Sequence, residues 1–137
     1  MKQEDKELLL QDLCCRLPYG VKGAYILGDT VWSEEPEIIV NIDLQKEKIW
    51  TDDTIRGYDI EDQDFKPYLR PLSSMTEKEQ EELFKINEKR VIFSSRHLTW
   101  HLDGEVTDYL NKKMFDWRGL IPKGLALPAL EGMYNVK

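Results

Sequence analysis

Apolar positions change their spacing several times along the chain, and each change predicts a different element. Over residues 5–17, Leu9, Leu10, Leu13, Cys14 and Leu17 fall on one helical stripe, with Leu8 and Cys15 outside it; this predicts an amphipathic helix. Acidic residues crowd its start, as the helix dipole favours, and Pro18 stops it. From 21 to 51 the period shortens toward two. Residues 21–27, 30–33, 38–44 and 49–51 are rich in β-branched and aromatic side chains, separated by the turn chemistry of Gly28-Asp29, Glu34-Glu35-Pro36 and residues 45–48. An antiparallel meander is expected here, with Val40, Ile42 and Leu44 on one face, Asn41 and Asp43 on the other, and one sheet face in water.

Residues 52–74 carry no such period. Asp59, Glu61, Asp62 and Asp64 sit close together, Pro67 and Pro71 interrupt, and Ile60, Phe65, Tyr68, Leu69 and Leu72 are available to pack an irregular segment. Thr76 and Glu79 form a capping box that opens a surface helix over 77–89. Short strands are expected at 91–93 and 98–100. Val106, Tyr109, Leu110, Met114 and Trp117 align on a third helix over 104–117, with Gly119 just past its end. The tail, 120–137, has few charges and is expected to pack along the body. The fold class is therefore a single α+β domain: an antiparallel sheet of three to five strands with about three helices. An SH3-like small barrel is the alternative to an open sheet.

Composition agrees with one domain and excludes several classes. The chain of 137 residues is long enough for a genuine core. Its 41% hydrophobic and 10% aromatic content argues against disorder. The only apolar run near the start, Leu8-Leu9-Leu10, is far too short for a signal-peptide core or a membrane span, so a cytoplasmic protein with no membrane contact is expected. Cys14 and Cys15 are adjacent, a spacing that strains a disulfide on a helix. Cys14 reads as a core residue and Cys15 as a partly covered one.

Charge changes the picture most. The net charge is −7, and it is unevenly placed. Residues 1–64 hold seven basic and sixteen acidic side chains, whereas 65–137 hold twelve basic and ten acidic. The acidic half is a poor face for phosphates. It is either a solvated surface or a face that docks on a basic protein partner. Asp52, Asp53, Asp59, Glu61, Asp62 and Asp64, with Trp32 and Trp50, are the candidate contact residues.

Motifs for catalysis are weak. His97 and His101 are four apart and lie near Asp103, which suggests a two-histidine, one-carboxylate metal site, with Asp108 as the other carboxylate. The glutamate that serves as base in His-Glu-x-x-His enzymes is missing. Residues 59–64 lack the glycine of a calcium loop, and Gly119 to Gly124 lacks the P-loop lysine. Exposed aromatics on a sheet can stack bases, but these lie in the acidic half; Arg90, Arg96, Lys112, Lys113, Arg118 and Lys123 are the candidates if nucleic acid is bound. No cofactor is implied. The leading expectation is a non-enzymatic interaction module, an adaptor or inhibitor acting through its acidic sheet face. A small metal-dependent enzyme and a nucleic-acid binder are the alternatives.

Three segments carry a resemblance: Asp12-Leu-Cys-Cys-Arg-Leu-Pro-Tyr-Gly-Val-Lys22; Phe65-Lys-Pro-Tyr-Leu-Arg-Pro-Leu-Ser-Ser-Met-Thr76; and Asp108-Tyr-Leu-Asn with Phe115-Asp-Trp-Arg-Gly-Leu-Ile, Gly124-Leu-Ala-Leu and Glu131-Gly-Met-Tyr134. Together they resemble a family of small proteins of gut anaerobes and of their prophages and mobile elements. That family has no assigned activity. The resemblance implies a mobile-element context and transfers no catalytic residue.

Overall fold

The structure, a computed structural model, describes residues 1–54, 57–91 and 104–134. They form an α+β domain with helices α1 (Gln3–Arg16), α2 (Glu77–Val91) and α3 (Gly104–Lys112). The strands are β1 (Lys22–Leu27), β2 (Thr30–Val31), β3 (Glu37–Asp43), β4 (Lys48–Thr51), β5 (Tyr58–Asp59), β6 (Phe65–Leu69) and β7 (Leu127–Pro128). The sheet runs β5-β4-β3-β1-β6-β7, with β2 paired to the far end of β1. No helix among the described residues is long and apolar enough to cross a membrane.

Seven strands exceed the three to five expected, and the sheet is mixed, because β7 pairs parallel to β6. The additional strands come from segments without alternation. Strand β6 lies inside the sheet between β1 and β7 although it contains Pro67, and four of its five residues are buried. A proline and a nearly continuous apolar run both hide an interior strand from a period-two reading. Strands β5 and β7 have two residues each, too few for any period.

The sheet curls. Tyr58 belongs to the edge strand β5, yet its ring stacks on Tyr25 of β1 (5.5 Å) and Phe65 of β6 (4.8 Å). Gly23 allows this, since a Cβ there would stand 2.4 Å from the Phe65 ring and 2.7 Å from the Lys66 carbonyl. Strand β3 shifts register at Val40, so that Ile39 and Ile42 both turn to the core while Val40 and Leu44 are exposed. The expected sharing of a face by Val40, Ile42 and Leu44 is thus broken by a bulge.

The main core joins Leu9 and Leu13 of α1 to Val21, Ile39, Ile49, Phe65 and Leu69, and then to Met114, Leu120, Leu125 and Ala126. The inner face of α1 also carries charge. Arg16 and Asp12 are fully buried, Arg16 Nε and Nη2 donate to Asp12, and Nη2 reaches the Phe115 carbonyl at 2.6 Å. Arg118 donates to the same carboxylate at 2.8 Å. This pairing rotates the helix, so Cys14, expected in the core, is exposed, and Cys15 is half-buried near Arg118.

A second cluster, Leu83, Val106, Leu110 and Phe115, binds α2 to α3. The capping box forms: Glu79 N–H donates to Thr76 Oγ1, and Glu79 Oε1 accepts from Thr76 N–H. The same glutamate takes both arms of the buried Arg70 fork at 2.7 Å. Helix α3 ends at Lys112, not at 117, because Met114 turns left-handed (φ 64°) and sends Phe115 back to bridge Arg70. Of the expected strand at 91–93, Val91 is the last residue of α2, while residues 92–93 and the whole of the strand expected at 98–100 lie outside the described residues.

Candidate functional site

Sequence makes the site by interrupting a hairpin. Gly28-Asp29 turns β1 into β2 with Ile26 opposite Val31. From there to the Gly23/Glu37 pair, β1 advances three residues while the opposite side uses six. Trp32 N–H still bonds the Tyr25 carbonyl at 2.8 Å, but Tyr25 N–H is taken by the Ser33 hydroxyl. The ladder stops, and residues 33–36 swing outward. Pro36, which has no amide hydrogen, suits a segment that has left the ladder. Across from it, the turn after β4 is tied to β3 twice: Asp52 N–H donates to the Ile38 carbonyl, and Asp52 Oδ1 accepts from Ile38 N–H, both at 3.0 Å.

Between these walls lies a cleft of about 500 Å³ lined by Tyr25, Trp32, Ser33, Glu34, Glu35, Pro36, Glu37, Asp52, Asp53 and Tyr58. Its size is that of a ligand site. Among the described residues of the lining, five are carboxylates, three are aromatic, and none is basic. Trp32 is 60% exposed at its edge.

Glu37 is the buried member, 4% exposed. It accepts from Ser33 Oγ (2.5 Å), Thr51 Oγ1 (2.6 Å) and Tyr58 OH (2.8 and 3.1 Å). The proton directions are set from behind. Ser33 Oγ accepts from Tyr25 N–H, and Thr51 Oγ1 accepts from Asp53 N–H, so both hydroxyls point their own hydrogens at Glu37. Burial, with the neighbouring Glu37 carboxylate, pushes the Tyr58 phenol well above its ordinary value, so it stays a donor. Among the described residues no cationic side chain pairs with Glu37, and no three His, Cys, Asp or Glu side chains converge as a metal site.

The residues singled out from sequence divide. Asp52, Asp53 and Trp32 line the cleft. Asp59 lies 3.9 Å from Lys48, and Glu61 pairs with Lys6 and the N-terminal amine. Asp62 is exposed on a short 3₁₀ turn, and the Asp64 carbonyl accepts from Ile26 N–H. Trp50 is half-buried, its ring lying over Gly57. Asp108 is exposed on α3. His97, His101, Asp103 and Arg96 lie outside the described residues, as does the side chain of Arg90. Of the other basic candidates, Arg118 is engaged by Asp12 and stacks on Trp117, Lys113 lies over Tyr109, and Lys112 and Lys123 are exposed.

Sequence reasoning misses these glutamates: Glu34-Glu35-Pro36 reads as a connection, and Glu37 goes unmarked in that reading. One signal was present. Glu37 stands two residues before Ile39, in phase with a core position, and a carboxylate in phase with the core is an informative departure. No family model, curated protein or solved structure matches this chain.

Proposed function

We propose that this protein is a non-enzymatic docking module, an adaptor or inhibitor working in the cytoplasm, whose cleft captures a basic segment of a partner protein. The observation that carries the reading is the lining itself: among the described residues, five carboxylates and three aromatic rings surround one concavity, with no basic side chain among them. Like charges held together cost stability, and an opposite charge on a partner relieves that cost while steering its approach. Exposed Leu27, Val31, Trp32 and Ile38 beside the cleft supply apolar contact area.

Calorimetric titration with a lysine-rich peptide and an acidic control tests this. The wild type binds the basic peptide alone, and more weakly as salt rises. The rim variant Glu34→Gln/Glu35→Gln/Asp52→Asn/Asp53→Asn loses about tenfold or more, the scale of a few partly screened charge pairs. Equal binding by the rim variant, or none by the wild type, overturns the reading.

A further inference from the structure

We propose that residues 129–134 form a releasable strap over a second cavity, latched by the Tyr134 hydroxyl in a rung of the sheet. The strap shares no residue with the acidic cleft, so it stands apart from what the cleft binds. Strands β1 and β6 are antiparallel, with Ala24 opposite Lys66 and Gly23 opposite Pro67, which puts Lys22 next in register with Tyr68. Ile26 N–H bonds the Asp64 carbonyl at 2.6 Å. Bonded and non-bonded pairs alternate along such a ladder, so Lys22 and Tyr68 fall on a bonded rung. The Tyr134 hydroxyl is inserted into that rung. It accepts from Lys22 N–H at 2.9 Å and donates to the Tyr68 carbonyl at 2.8 Å.

Between β7 and the latch the strap is lightly held. Leu130, Glu131 and Gly132 are exposed, and Met133 N–H turns back to the Leu130 carbonyl at 3.0 Å. The Lys22 ammonium reaches the Met133 carbonyl at 3.3 Å and lies 5.9 Å from the Tyr134 ring. Under the strap lies a cavity of about 450 Å³, bounded on its other side by Arg70, Pro71, Ser74 and Thr76. Segments with few buried contacts open at lower cost than the core. Opening here leaves no backbone group of the rung without a partner. Once the hydroxyl withdraws, Lys22 N–H and the Tyr68 carbonyl are in register to bond each other. The sheet closes its rung as the strap lifts from the cavity. Burial pushes the Tyr134 phenol up to about 12, so at neutral pH it keeps the proton that it gives to Tyr68.

Amide hydrogen exchange followed by NMR tests the latch. Tyr134→Phe keeps the ring and removes the hydroxyl. It should speed exchange at Ala129 and Met133 about tenfold, the scale of one or two net hydrogen bonds, and leave Ile39 and Arg70 unchanged. In Tyr134→Ala, which removes the ring as well, the rung is expected to close. A through-hydrogen-bond coupling between the Lys22 nitrogen and the Tyr68 carbonyl carbon, absent in the wild type, then appears. Exchange that rises by one common factor at Ala129, Met133, Ile39 and Arg70 overturns the strap, since Tyr134 would then be ordinary core packing. Unchanged exchange at Ala129 and Met133 in Tyr134→Phe overturns it too, as does a folded Tyr134→Ala protein without the coupling. If Tyr134→Ala does not fold, the exchange pattern of Tyr134→Phe decides alone.

Discussion

Gly23 and Phe65 show how much rests on single atoms. The ring of Phe65 lies where a Cβ of residue 23 would be, 2.4 Å away, and the backbone carbonyl of Lys66 blocks retreat at 2.7 Å. That close approach lets Phe65 stack under Tyr58 and so brings the Tyr58 hydroxyl to Glu37. Gly23→Ala is therefore expected to lower stability by about 1–3 kcal/mol, the range for overpacking a well-filled core, as measured by urea unfolding. The same variant should move the Tyr58 ring resonances. The wild-type denaturation midpoint in Gly23→Ala would show that the ring shifts freely and that the curl does not need this contact. The glycine was visible in the sequence, but its partner, 42 positions on, was not; only the Gly23/Pro67 register makes Phe65 its neighbour.

At the scale of elements, helix α2 is held at its start by one side chain with two tasks. Glu79 closes the capping box with Thr76 and receives both arms of Arg70, itself buried beside Phe115. Burial raises the carboxyl's pKa, but the Arg70 fork and the Thr76 amide outweigh it, leaving Glu79 below its ordinary value of 4.5. A carboxyl lowered on folding adds stability that is complete above the unfolded value and is lost as pH falls through the folded one. The stability advantage of wild type over Glu79→Gln should thus be full at neutral pH and shrink below pH 4.5, read by urea melts across that range. A constant difference would mean that the Arg70 pair does not set this titration. Glu79→Ala, which leaves a buried guanidinium unpaired, should cost about 3–5 kcal/mol.

Elements with strong local signals were legible. Helix α1, the capping box at Thr76 and the Gly28-Asp29 turn all stand where the pattern puts them, though of the expected α1 stripe only Leu9 and Leu13 are buried. What escaped depended on distance. Strand β6 reads as loop because its partners β1 and β7 supply its ladder, and the early end of α3 follows from the bridge between Phe115 and Arg70. The cleft is half legible: charge and aromaticity mark Asp52, Asp53 and Trp32, whereas Glu34-Glu35-Pro36 reads only as a connection and Glu37 is not marked at all. Only the extra residues opposite β1 show that this turn is a wall.

For the whole molecule, the cleft is a concentration of like charge held by backbone geometry, and such sites trade stability for binding. The four-fold rim variant should be a weaker binder and at the same time a more stable protein, by about 0.5–2 kcal/mol at low ionic strength, with the gain fading as salt screens the rim. Thermal melts of both proteins across a salt series test it. A rim variant that is less stable at every salt concentration would show that these carboxylates serve the fold.

The long reach of Arg16 has a consequence for how the protein comes into being. Its guanidinium closes on the Phe115 carbonyl, 99 residues further along, and Leu9 and Leu13 meet Met114, Leu120 and Leu125 in the same core. A ribosome adding about 5–20 residues per second leaves the first helix waiting about 5–20 seconds, and the fourth strand about 3–13 seconds, for that closing segment. Throughout the wait their apolar face is open. The sixteen acidic side chains of residues 1–64, set against only seven basic ones, then repel other nascent chains at the same stage. The same acidity that lines the finished cleft also guards the unfinished chain against its own kind.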